Sequence, residues 1–87
     1  MVDETDINKI DEQMQKDGWI FLGPILHYEK ALKDQALVYK KSDEYIVLGI
    51  DKTGANTFKD HIEKNTAEKR VKESMIEISK HMLGSSL

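Results

Sequence analysis

Large apolar residues crowd the middle third of the chain. Trp19-Ile20-Phe21-Leu22 opens the run and Ile25-Leu26 follows. Then come Ala36-Leu37-Val38-Tyr39 and, last, Tyr45-Ile46-Val47-Leu48-Gly49-Ile50. Consecutive apolar residues suit strands covered on both faces, whereas strict alternation marks a sheet with one wet face. The segments on either side are highly charged, with apolar residues three and four apart, which is the helical period. The pattern predicts helices flanking a small sheet, an α+β domain.

The first helix is expected over residues 3–17. Ile7, Ile10 and Met14 form one apolar stripe, Asp3 or Thr5 can cap the start, and Glu4 and Asp6 sit where the helix dipole favours acids. Gly18 suits the left-handed residue that ends such a helix. A first strand is expected at about 19–28, placed centrally because its apolar run is unbroken. Pro24 cannot donate to a ladder, so Gly23-Pro24 marks a bulge or a bend. Residues 25–35 fit two conformations. Pro24 at a first helical position and the good helix formers of Glu29-Lys30-Ala31-Leu32-Lys33 favour a helix, while Ile25 to Tyr28 can continue the strand. The extended form, with a loop near Lys30–Gln35, is the one adopted here. Residues 36–41 and 44–51 form the clearest hairpin, with Ile46, Leu48 and Ile50 on one face and Tyr45, Val47 and Gly49 on the other, and Trp19 and Phe21 are expected on the face of Tyr45 and Val47.

In the last third, Phe58 and Ile62 follow a capping residue, Thr57, with Asp60 at the third helical position. Val71, Met75, Ile78 and Met82 form a strong stripe further on. Nine residues separate Ile62 from Val71, about half a turn out of phase at 100° per residue, so one straight helix cannot hold both sets on one side. Asn65-Thr66-Ala67-Glu68 supplies a second capping signal. The spacing therefore predicts helices at 57–64 and 66–83, broken near Asn65–Thr66, and a frayed tail at 84–87. The expected order is α-β-β-β-α-α over one domain, residues 1–87, with a three-stranded antiparallel sheet.

Composition narrows the chemistry. An 87-residue chain without Cys has no disulfide, no thiol nucleophile and no Cys-based zinc site. A domain of this size buries only roughly 60–65% of its unfolded surface, so two sheet faces are hard to cover from within the chain. Nothing approaches the length of a membrane span, and the acidic start is the reverse of a secretory signal, so a cytoplasmic protein is expected. The net charge of −3 is concentrated in residues 1–24, where six acids face two lysines. That acidity, and a basic set of twelve Lys and one Arg, works against general nucleic-acid binding. Lys-rich, Arg-poor composition is typical of AT-rich coding sequence and fits a small regulator from a mobile element.

No motif carries catalysis, a cofactor or a metal. His27, His61 and His81 are the only neutral-pH acid–base candidates; His61-Ile62-Glu63 lacks the i, i+4 spacing of a ligand pair, and Glu77 with His81 fits an ordinary helix contact. Thr53-Gly54-Ala55-Asn56 lacks the residues of a phosphate loop. Lys64, Lys69, Arg70, Lys72 and Lys80 alternate with Glu63, Glu68, Glu73 and Glu77, as on a solvated, self-paired face. The feature left is apolar surface. The chain is expected to be a non-enzymatic protein-binding module, an adaptor, inhibitor or regulator, that docks on another protein or on itself through Trp19, Phe21, Tyr45, Val47, Met75, Ile76, Met82 and Leu83. The alternative is a nucleic-acid-associated regulator using the lysines of the last helix.

Overall fold

The computed structural model describes residues 4–85, with side chains from Ile10 to Met82. Two helices and a four-stranded antiparallel meander follow one another along the chain: α1 Glu4–Lys16, β1 Ile20–Pro24, β2 Gln35–Lys41, β3 Glu44–Ile50, β4 Asn56–His61 and α2 Lys64–Ser85. Strand order in space equals chain order, β1-β2-β3-β4.

The chain enters the sheet through a helix stop of the expected kind. Gly18 has φ 91°, and its N–H donates to the Gln15 carbonyl while Trp19 N–H donates to that of Met14. This paired arrangement closes the end of α1 and turns the chain toward β1. β1 then pairs with β2, Phe21 opposite Tyr39 and Gly23 opposite Val38, with a bulge between Phe21 and Gly23. β1 is thus an edge strand, not the central one that its apolar run suggested. A meander gives the inner places to β2 and β3, and their side chains are the buried ones.

Two cores lie on opposite faces of the sheet. On one, Tyr39, Ile46, Leu48 and Ile50 pack with Leu37, Trp19 and the α1 residues Ile10 and Met14. On the other, Val38, Ala36, Tyr45, Val47 and Ile25 pack with Ala67 and Val71 of α2. The alternation expected for β3 is present. The expected grouping of Trp19 and Phe21 with Tyr45 and Val47 is not, because antiparallel pairing puts Phe21 beside Tyr39, with ring centroids 5.4 Å apart, on the α1 face.

Residues 57–64 are not a helix. Asn56–His61 form a strand paired to β3, with Gly49 opposite Phe58 and Ile46 opposite His61. Phe58 and Ile62 are four apart, a spacing that satisfies a period of two as well as one of 3.6. The outer side of β3 needs a ladder partner, and this segment supplies it. Thr57, taken as a helix cap, instead donates its hydroxyl to Asp34 at 3.1 Å. The break in the C-terminal third therefore falls at Ile62–Glu63, and α2 runs on through Asn65 and Thr66 as one 22-residue helix.

Residues 25–34 form a loop. Only Ile25 extends the ladder, donating its N–H to the Ala36 carbonyl. The loop crosses to the far side of the sheet, where Tyr28 stacks on Phe58 at 5.6 Å and Lys30 pairs with Asp60 at 3.0 Å. It covers the β4 side of a face that α2 covers elsewhere.

Candidate docking surface

α2 reaches the β1 edge because β1 makes room for it. Gly23 has φ 149°, and a Cβ there would lie 2.7 Å from the Val71 side chain and 3.9 Å from the Met75 sulfur. Only glycine combines that backbone with so close a helix. Buried Ser74 fixes the crossing: its hydroxyl donates to the Arg70 carbonyl at 2.8 Å and accepts Leu26 N–H at 2.9 Å. One flank of the helix is tied to the loop, by Arg70 to Glu29 at 3.1 Å and by Glu77 to His27 at 3.3 Å. The opposite flank, with Met75, faces along β1.

Among the described residues, the exposed large apolar side chains other than Leu32 belong to β1 and to the α2 residues from Met75 onward. Ile20 is 61% exposed and Phe21 46%; on α2, Met75 is 47% and Met82 67% exposed. Leu32, at the tip of the loop, stands apart and is almost fully exposed.

Of the residues expected to dock, Phe21 is exposed on β1 toward the α1 face, Met75 is exposed where α2 crosses Gly23, and Met82 is exposed near the end of α2. Ile76 is as exposed as Met75, but five residues on from Val71 it points about 140° away from it, off the buried stripe. Tyr45 and Val47 are buried beneath α2 and belong to the core, so they leave the candidate set. Trp19 is half-buried, with the Lys41 and Lys59 ammonium groups 5.7 and 5.6 Å from its ring centre. The side chain of Leu83 lies outside the described residues. Ile20 was missed. It is the residue whose exposure depends on β1 being an edge, and nothing in its local sequence separates it from Phe21.

The titratable side chains of the described residues are spread over the fold. His27 and His61 are largely exposed, facing Glu77 and Glu44. Glu77 thus faces a loop histidine across the fold. No group of three or more His, Asp or Glu suited to a metal occurs among the described residues. Asp51 Oδ1 accepts the Thr53 hydroxyl and the N–H groups of Thr53 and Ala55, which holds the carboxyl below its ordinary range, chiefly through the hydroxyl. Tyr39 is raised, first by burial and then by its 2.8 Å hydrogen bond to Asp11 of α1. Tyr28 is raised by burial and by Asp60. All three shifts accompany structural bonds.

One concavity of about 360 Å³ opens between the loop and the end of α2, walled by Pro24, Ile25, Leu26, Ala31 and Ile78. It adjoins the C-terminal end of β1, and His27, Asp34 and Gln35 also line it. No helix of the described residues is long and apolar enough to cross a membrane. No family model matches the chain, and neither a curated protein nor a solved structure shows significant similarity to it.

Proposed function

We propose that the chain is a small non-enzymatic protein-binding module, an adaptor, inhibitor or regulator, that engages its partner through the β1 edge and the neighbouring flank of α2. The observation that carries this reading is the placement of Ile20, Phe21 and Met75. Ile20 and Phe21 stand on the edge strand, Phe21 toward the α1 face, and Met75 stands on the other face where α2 crosses that strand at Gly23; each is about half or more exposed. An edge strand offers unpaired backbone groups as well as side chains, and chains that do not use such an edge blunt it with charge. Between Trp19 and Leu26 there is no charged residue.

The lysines of α2 support nucleic-acid binding less well. Glu68 and Glu73 interleave with Lys69 and Lys72 on the exposed side of the helix, and Arg70 is engaged with Glu29 and the Tyr28 ring. The test is affinity purification from the native host with the wild-type chain and with Ile20→Glu/Met75→Glu. Loss of the co-purifying protein in a variant that keeps its circular dichroism and melting profile supports the reading. Retention of that protein, or binding only to nucleic acid that weakens steeply with salt, overturns it.

A further inference from the structure

We infer that the partner of this surface is a second copy of the chain, two β1 edges meeting antiparallel about a two-fold axis; the inference rests on the protein-binding reading. Charge is the first argument. Surfaces that select a different protein commonly use charge to steer it and to reject others. The β1 edge carries none from Trp19 to Leu26, and its borders mix signs: Lys16 and Asp17 before it with Lys40 opposite Ile20 and Lys41 over Trp19, and Glu77 facing His27 after it. A border of one sign would repel an identical copy, and a mixed border does not.

Shape is the second argument. At 1.5 Å per residue α2 is about 33 Å long, whereas a strand of five to seven residues spans roughly 17–24 Å. The helix starts beside the end of β4, where Ile62 N–H bonds the Tyr45 carbonyl. It crosses β1 at Gly23 and reaches Pro24 and Ile25 by Ile78. Its last turns therefore project at the C-terminal end of β1, and the N-terminal end keeps Ile20 61% exposed. Antiparallel pairing sets the C-terminal end of one edge against the N-terminal end of the other. The projecting turns of each α2, with Met82, then cover the partner's Ile20 corner, and the two Met75 flanks face each other.

Antiparallel pairing sets the first residues of one β1 against Gly23-Pro24 of the other, so the bulge and the missing N–H of Pro24 limit the backbone bonds of the contact. Side chains do the rest. Because a two-fold contact uses the edge up on both copies, the assembly stops at two.

The chain has no Cys, so introduced cysteines report without background. The experiment is sedimentation equilibrium of the wild type, Ile20→Glu and Met75→Glu, with mild oxidation of Ile20→Cys/Met82→Cys and, as control, Lys59→Cys on the β4 edge. The inference expects a concentration-dependent dimer, weakened at least about tenfold by either glutamate with the fold retained, and a cross-linked dimer from the double-cysteine chain but not from the control. A strict monomer at millimolar concentration overturns self-pairing. It leaves the docking surface standing if the same glutamates still abolish capture of a different protein. A dimer indifferent to both glutamates overturns the inference and the choice of surface together.

Discussion

β1 and β4 stand in the same backbone situation. Each pairs with one neighbour and turns a row of N–H and C=O groups outward. β4 ends in Lys59-Asp60-His61, and its side chains are engaged: Lys59 over Trp19, Asp60 with Lys30, Asn56 donating to the Gly49 and Phe58 carbonyls. β1 offers Ile20-Phe21-Leu22, its first two residues about half or more exposed, and an exposed methionine of α2 lies near its Gly23. Charge and side-chain amides make an edge unattractive to other strands, and apolar residues do the reverse. The difference teaches that edge position alone says little about docking. What each edge presents to solvent separates a boundary from an interface.

Both edges depend on the strand between them, and the largest expected effect falls there. Leu48→Ala on β3 empties part of the α1-face core and should cost about 2–5 kcal/mol, read as a fall in denaturation midpoint that takes both edges with it. A small change would mean that the edges are held independently of the centre.

Next come the close approaches that seat each edge. A Cβ at Gly49 would meet the Phe58 ring and the Thr57 hydroxyl of β4, and one at Gly23 would meet Val71 of α2. Gly49→Ala and Gly23→Ala should each cost about 1–3 kcal/mol. Hydrogen exchange should place the loosened amides on β4 in the first variant and on β1 in the second. Loosening of the same strand in both would break the comparison.

Tyr39→Phe should cost about 1–2 kcal/mol by removing the bond to Asp11 that ties α1 to the sheet beside Phe21. The folded pKa of Tyr39 lies above its ordinary 10.0. Its contribution is therefore complete below that value and is lost as the pH rises through the higher folded one. Wild-type stability should fall above about pH 10, and the variant should lose part of that dependence; equal alkaline slopes would remove Tyr39 as the cause.

The smallest effect on stability is the most telling for the two edges. Ile20→Lys should move the melting free energy by about 0.5 kcal/mol or less, since the side chain is already in solvent. It should nonetheless make β1 behave like β4 in sedimentation, with no self-association. A large stability loss would place Ile20 in the core.

Much of the architecture could be read along the chain, because it rests on local physics. Gly18 ends α1 where a left-handed residue was expected, β3 alternates Ile46/Leu48/Ile50 against Tyr45/Val47, and Val71 buries one side of α2. Periodicity and turn chemistry report such features directly. β4 could not be read, because Phe58 and Ile62 fit both periods and only the open side of β3 decides between them. For the same reason the docking set changed membership. A run of large apolar residues marks burial or exposure equally well, and Tyr45 became core while Ile20 became surface once the meander had assigned inner and edge places. Composition and period thus determined which residues must leave water in pairs of faces. Only the tertiary structure, by placing β1 at the edge and letting α2 outrun it, decided which of them stayed in water.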